Sequence, residues 1–255
     1  MSYQHIVSER DGAVAVVTMN RPERRNALSY EHIGELIDAF GRIGRSDARA
    51  VVLAANGPVF SAGHDYGDMV ERDLQGFRDL FARCADMMRL VQGLPQPVVA
   101  SVQGIATGAG CQLVATCDLA VAAEGASFAT PGGRGGWFCS TPMVAVSRAI
   151  GRKRALEMLL TGEAIDASTA ADWGLVNRVV PAERLREATL ELAHAASRGS
   201  TVSKATGKHA FYAQIDLDQA HAYEYASEVM AMTAVAPDGR EAIASFFEKR
   251  KPVYR

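Results

Sequence analysis

The stretch Pro97-Val98-Val99-Ala100-Ser101-Val102-Gln103-Gly104-Ile105-Ala106-Thr107-Gly108-Ala109-Gly110-Cys111-Gln112-Leu113-Val114-Ala115-Thr116 changes character twice within twenty residues. Val98–Val102 is largely apolar and rich in valine, which reads as a strand covered on both faces. Gly104–Gly110 reads as a glycine-rich turn, and Cys111–Thr116 as the start of a helix. Leu119–Ala123 is the next strand. Strand, turn, helix and strand in that order make the repeating unit of an α/β fold.

The same alternation extends upstream. Ala13–Met19 reads as a buried strand stopped by Asn20-Arg21-Pro22, and Ala50–Ala54 as another, closed by Asn56-Gly57-Pro58. Between them, Ser29 is a candidate N-cap, followed by Ile33, Leu36, Ile37, Phe40 and Ile43 at helical spacing. A loop containing Gly63 and Gly67 then leads into a long amphipathic stretch to about Gln92. Past Pro142 helical periodicity dominates, with one strand-like segment at Leu175–Val180 ended by Pro181. From Ala182 the tail reads as several helices. The expectation is one α/β domain, with a core over residues 1–180 and a helical region over 181–255.

With 255 residues the chain has room for a sizeable core, and 48% apolar with 22% charged residues is the composition of a globular domain. Lys and Arg total 27 against 29 Asp and Glu, a formal charge of −2, so no chain-wide positive field would hold a nucleic acid or an anionic membrane. The four cysteines (Cys84, Cys111, Cys117, Cys139) show neither CxxC spacing nor the density of a disulfide scaffold. The N-terminus has no cationic stretch followed by an apolar segment, and no apolar run approaches ~20 residues. A cytoplasmic location is expected.

Two glycine-rich turns follow strands: Phe60-Ser61-Ala62-Gly63-His64-Asp65, and Gly104 to Gly110. Small residues let a backbone approach a ligand closely, and a helix start leaves N–H groups without partners, which suits a phosphate or a developing oxyanion. Tight packing alone also explains such turns. Gly104, Gly108 and Gly110 with Glu124 twenty residues beyond Gly104 offer a rival reading, a dinucleotide-binding turn with a ribose-binding acid. Against it, the turn is mid-chain and none of the seven tyrosines is followed by Lys four positions on. The six histidines form no HExxH, and there is no GxSxG and no GxxxxGK[ST]. No metal site and no resident cofactor are expected.

The string from Pro97 to Leu113 resembles the signature of the crotonase (enoyl-CoA hydratase/isomerase) superfamily. The resemblance extends to Asn20-Arg21-Pro22, Asn26-Ala27-Leu28, the turn Phe60–Asp65, Leu159-Leu160-Thr161-Gly162, Ala171–Val176 and Phe247–Lys251. It implies a spiral of ββα units with C-terminal helices used in assembly, homo-trimers or dimers of trimers, and an acyl-CoA thioester as ligand. It also implies that the backbone N–H groups of His64 and Ala109 polarise the thioester carbonyl and stabilise its enolate.

Hydratases of the family carry two glutamates for proton transfer; the matching positions here are Gln112 and Gly132, within Ala129-Thr130-Pro131-Gly132. Gln112 cannot ionise and Gly132 has no side chain, so weak or altered hydratase activity is expected. The combination resembles the enoyl-CoA hydratase domain-containing subgroup that lacks both. The resemblance further implies ligand contacts from Ala62, Tyr66, Gly108, Pro131, Trp137 and Phe138 around the acyl pocket, and from Arg24, Arg25 and Lys249 toward the coenzyme phosphates. Asp65 is a candidate to orient His64 or ligand, or a turn acid; the His64 imidazole is a candidate proton carrier. A non-catalytic acyl-CoA binder and, remotely, an NAD-dependent oxidoreductase are the alternatives.

Overall fold

The computed structural model describes residues 3–254, and they form two sheets wound together. In the larger sheet the strands lie in the order β1 (Ile6–Asp11), β2 (Val14–Met19), β3 (Ala50–Ala55), β5 (Val98–Val102), β7 (Leu119–Ala123) and β10 (Arg178–Val180). All neighbours pair in parallel except β1 with β2. The smaller sheet runs β4 (Val59–Ser61), β6 (Ile105–Thr107), β8 (Ser127–Ala129) and β9 (Ile165–Asp166), the last antiparallel. Each turn of the spiral thus sends one strand to each sheet before a helix: β3, β4, then α3 (Leu74–Gly93); β5, β6, then α4 (Ala109–Thr116); β7, β8, then α5 (Pro142–Ile150).

The continuous apolar strands are explained by two cores on opposite faces of the large sheet. Ala15, Val17, Met19, Val51, Leu53, Val98, Ala100 and Val102 face the main core, while Val14, Val16, Ala50, Val52, Val99 and Val121 face a second one. The alternation is the period of two expected of a strand, with both phases apolar because both faces are covered. α8 (Leu185–Ala196) closes the second core with Leu185, Ala188 and Ala193. α1 (Tyr30–Gly44) is capped by Ser29, whose side chain accepts the His32 N–H, and buries Ile33, Leu36, Phe40 and Ile43.

Three expectations need correction. The run Gly104–Gly110 is not a simple turn, since β6 lies inside it, and α4 begins at Ala109 rather than Cys111. Leu175–Val180 is a strand only over Arg178–Val180. β1, β4, β8 and β9 carry no clear period, because strands of two or three residues are too short and β1 is an edge strand exposing most of its residues. Among the described residues no helix is long and apolar enough to cross a membrane.

Candidate active site

Short strands β4 and β6 are parallel neighbours, so the turns that follow them leave the small sheet side by side. The glycines show how closely the two chains approach. A Cβ on Gly104 would lie 2.0 Å from the Pro58 carbonyl oxygen, and one on Gly110 would lie 2.4 Å from that of Ser61. Gly63, at φ +86°, occupies backbone space that favours glycine, and a Cβ there would sit 2.9 Å from Thr107 O and 3.2 Å from Ala109 N. Packing and function meet here: the same glycines that let the turns abut bring the chain around His64 beside the start of α4.

The first turn is held from behind. Leu28 N–H donates to Gly63 O (2.7 Å), Asp65 N–H to Leu28 O (3.2 Å) and Ala62 N–H to Arg25 O (3.0 Å). The Ser61 hydroxyl donates to Asn26 O at 2.9 Å, and the fully buried Asn26 amide ties Asn56 O and Val59 O. The Asp65 carboxylate accepts from Arg21 Nη2 (3.3 Å) and from Gly67 N–H (3.0 Å), capping the short helix α2 (Tyr66–Met69). It holds the turn and does not line the cavity. On the second turn, Gly108 N–H donates to Ala129 O at 2.9 Å. Among the described residues, neither the His64 N–H nor the Ala109 N–H donates to any other group.

Those two residues share the wall of a cavity of about 150 Å³. Of the sequence-predicted residues, Ala62, His64, Tyr66, Gly108, Ala109, Pro131, Gly132, Trp137 and Phe138 line it. Gln112, Arg24, Arg25 and Lys249 do not. Gln112 is 5% exposed, one turn into α4, with its Oε1 unpartnered. Arg24 is nevertheless close to the cavity rim, since its Nη2 lies 3.6 Å from where a Gly67 Cβ would stand, next to Tyr66. Lys249 follows α11 (Pro237–Phe247), outside the lining of this single chain.

The lining also contains Phe81, Thr107 and Cys139 to Pro142, which sequence reasoning did not place there. Phe81 is on α3, within the stretch read only as amphipathic; Phe77 and Phe81 stack with centroids 5.9 Å apart and meet Trp137 at 6.0 and 5.7 Å. The His64 ring continues the cluster, edge-on to Phe81 at 5.3 Å. Burial pushes the His64 imidazole below its ordinary pKa, with the Leu28 carbonyl and Asp68 opposing. Both ring nitrogens are closed to solvent and make no hydrogen bond of good geometry among the described residues, the Leu28 carbonyl being the polar main-chain group set against the ring.

The loop at Gly132 is closed on itself. Gly132 N–H donates to Cys139 Sγ at 3.3 Å, and Trp137 N–H donates to Gly132 O at 2.9 Å. A Cβ on Gly132 would lie 2.1 Å from Trp137 O and 2.8 Å from Cys139 Sγ. Position 132 is therefore not a vacancy awaiting a side chain; main chain and a thiol fill it. The dinucleotide alternative also loses its basis, because β6 separates β5 from α4 and the Gly104 and Gly110 Cβ positions face Pro58 and Ser61 instead of open space.

The model of the enoyl-CoA hydratase/isomerase family matches residues 9–255. The mitochondrial enoyl-CoA hydratase domain-containing protein 3 of mouse is 43% identical over 96% of this chain and 82% of its own length. A solved enoyl-CoA hydratase of Mycobacterium smegmatis superposes with a TM-score of 0.94 at 45% identity, covering 98% of each chain. Human enoyl Coenzyme A hydratase domain-containing protein 3 gives 0.94 at 40% identity, covering 98% of this chain and 100% of its own. With its two-sheet ββα spiral, helical C-terminal region and near full-length match, the chain belongs to the enoyl-CoA hydratase/isomerase family and has the crotonase fold.

Proposed function

We propose that this protein binds acyl-CoA thioesters and stabilises the thioester enolate between the His64 and Ala109 N–H groups. The observation that carries the reading is two unengaged main-chain donors on abutting turns, at the wall of a cavity with no charged carboxylate, ammonium or guanidinium in its lining. A donor pair held by the fold costs no reorganisation when charge develops, and removing one such donor typically costs about 3–4 kcal/mol. Phe81, Trp137 and Phe138 give the acyl group an apolar wall. Arg24, beside the rim at Gly67, and Arg25, whose carbonyl is tied to the first turn, are proposed to meet the coenzyme phosphates. Lys249 is proposed to reach a ligand from a neighbouring subunit.

Ordinary hydration is proposed to be weak, because Gln112 does not ionise and no carboxylate lines the cavity. The same fact favours a second reading, a protein that retains acyl-CoA without turning it over. Homo-trimers or dimers of trimers are the proposed assembly. Supporting it, α9 (Thr201–Gln214) and α10 (Gln219–Val235) bury none of their residues within one chain, and Met230 and Phe246 are 76% and 80% exposed. Residues 181–255 are proposed to serve that assembly and to close the pocket. The cysteines are all unpaired, in keeping with a reducing compartment, the cytoplasm on the sequence reading. Calorimetric titration with butyryl-CoA against free coenzyme A tests the central reading: saturable binding that needs the acyl group supports it, and its absence removes it. A crotonyl-CoA hydration assay on the same sample is expected to give negligible turnover; a rate like that of an ordinary hydratase would contradict the proposal.

A further inference from the structure

The size of the cavity bounds the acyl group it can hold. About 150 Å³ accommodates roughly one benzene ring, a six-carbon apolar body. His64 and Ala109, the proposed donors to the thioester oxygen, share its wall with Phe81 and Trp137. A chain whose carbonyl lies at those donors shares this volume with the carbonyl, so only a few methylenes fit beyond it.

The apolar side is closed by a bridge of rings between two elements. Phe77 and Phe81 lie one turn apart on α3, and Trp137 comes from the loop after the single 3-10 turn Pro131–Gly133. The Trp137 ring is tilted 50° to Phe81 at 5.7 Å and stands edge-on to Phe77 at 6.0 Å. Phe77 is off the lining and packs on the main core, so it backs the bridge. The Trp137 main chain is fixed as well, its N–H donating to Gly132 O at 2.9 Å.

On the other side of Trp137 lies a second hollow, an outer groove of about 390 Å³ that includes Arg134 and Gly135. It shares Tyr66, Pro131, Gly132 and Trp137 with the inner cavity. Pro131 and Gly132 are small and held by the loop, and Tyr66 is 73% exposed at the rim. Trp137 is the large side chain with ring contacts on the inner side and 46% of its surface open. The Arg134 guanidinium in the groove is already paired with Glu163 at 2.8 Å.

We propose that Trp137, braced by Phe81, is the partition that sets acyl-chain length, and that the ligands are thioesters of short acyl groups, about four to six carbons long. This deepens the acyl-CoA reading above and rests on it. Each methylene buried in the inner cavity strengthens binding. A longer chain must displace an indole held by two rings and a hydrogen bond, or fold back on itself in a full cavity.

The test is the calorimetric affinity of acetyl-, butyryl-, hexanoyl-, octanoyl- and decanoyl-CoA, read as ratios within each protein, which a change in overall stability does not move. Wild-type affinity should rise roughly fourfold per methylene up to butyryl- or hexanoyl-CoA. It should then fall about tenfold or more at octanoyl-CoA. Trp137→Ala joins the cavity to the outer groove, so octanoyl- and decanoyl-CoA should bind at least as tightly as hexanoyl-CoA. Trp137→Phe keeps the loop filled with a smaller ring and should lessen the octanoyl fall severalfold; it decides the matter if the alanine variant does not fold. Wild-type affinity that keeps rising through decanoyl-CoA, or variants whose length profile matches the wild type, would overturn the proposal. No binding of any of these thioesters by the wild type would instead remove the acyl-CoA reading, a separate result.

Discussion

Replacing Gly132 by glutamate would supply a carboxylate where the family resemblance puts one, yet the loop has no room for it. The new Cβ would lie 2.1 Å from Trp137 O, 2.8 Å from Cys139 Sγ and 3.1 Å from Cys139 N. Main chain cannot yield as the end of a flexible side chain can, so the loop must open, breaking the Trp137 N–H to Gly132 O bond and the Gly132 N–H to Sγ contact. Overpacking of this kind costs about 1–3 kcal/mol and each lost hydrogen bond about 1 kcal/mol, a total of about 3–5 kcal/mol. For a chain of this size that is a fall in Tm of roughly 10 °C. Urea and thermal unfolding of Gly132→Ala and Gly132→Glu should both show it, since the clash begins at Cβ. Trp137 fluorescence should report the displaced wall. The double variant Gln112→Glu with Gly132→Glu should hydrate crotonyl-CoA no better than the wild type. A Gly132→Ala protein within about 0.5 kcal/mol of the wild type, the scatter of a neutral surface change, would refute the reasoning, as would a double variant with robust hydratase activity.

Gly63→Ala should place a Cβ 2.9 Å from Thr107 O at a φ of +86°, costing about 1–3 kcal/mol of stability through backbone strain and pushing the two donors apart. Its butyryl-CoA affinity should fall about tenfold by calorimetry, the scale of one or two lost hydrogen bonds. His32 is fully buried, and burial pulls its pKa down to about 4, against the Ala27 carbonyl that favours its charged form. The unfolded chain, with histidine near 6.5, then binds the extra proton between about pH 6.5 and 4, so stability falls across that window as pH drops, by about 3 kcal/mol in all. His32→Leu should flatten that part of the urea-unfolding profile. Lys208 on α9 pairs with Asp118 at 2.6 Å, and its ammonium also donates to Val91 O and Gln96 O. Lys208→Met should strip the half-buried Asp118 carboxylate of its counter-ion, leaving it the Val98 N–H and Tyr212 hydroxyl as donors, and cost about 1.5–3 kcal/mol, read by the same unfolding assay.

What could be read from the residues follows from how long each signal is. β2, β3, β5 and β7 were legible because both faces of the large sheet are covered, leaving unbroken runs such as Val98–Val102 and Leu119–Ala123. The small sheet was not, because Val59–Ser61 and Ser127–Ala129 are too short for a period, and Ile105–Thr107 hides among glycines. At the site, glycine spacing and resemblance pointed to residues of the two turns and of the loop from Pro131 to Phe138, and nine of these do meet at one cavity. Phe81 was not, since a residue on an amphipathic helix reads the same whether it faces a core or a cavity. Asp65 read as a turn acid or a ligand group, and only its contacts to Arg21 and Gly67 show which role it fills. That Gly132 is enclosed by Trp137 and Cys139 depends on how the loop closes, which no local pattern encodes.

Difference infrared spectroscopy of butyryl-CoA labelled with ¹³C at the thioester carbonyl probes the two main-chain donors without requiring turnover. Convergence of the His64 and Ala109 N–H groups on that oxygen predicts a carbonyl stretch lower in the complex than in water. A ligand that binds with its carbonyl stretch at or above the aqueous frequency would contradict the account.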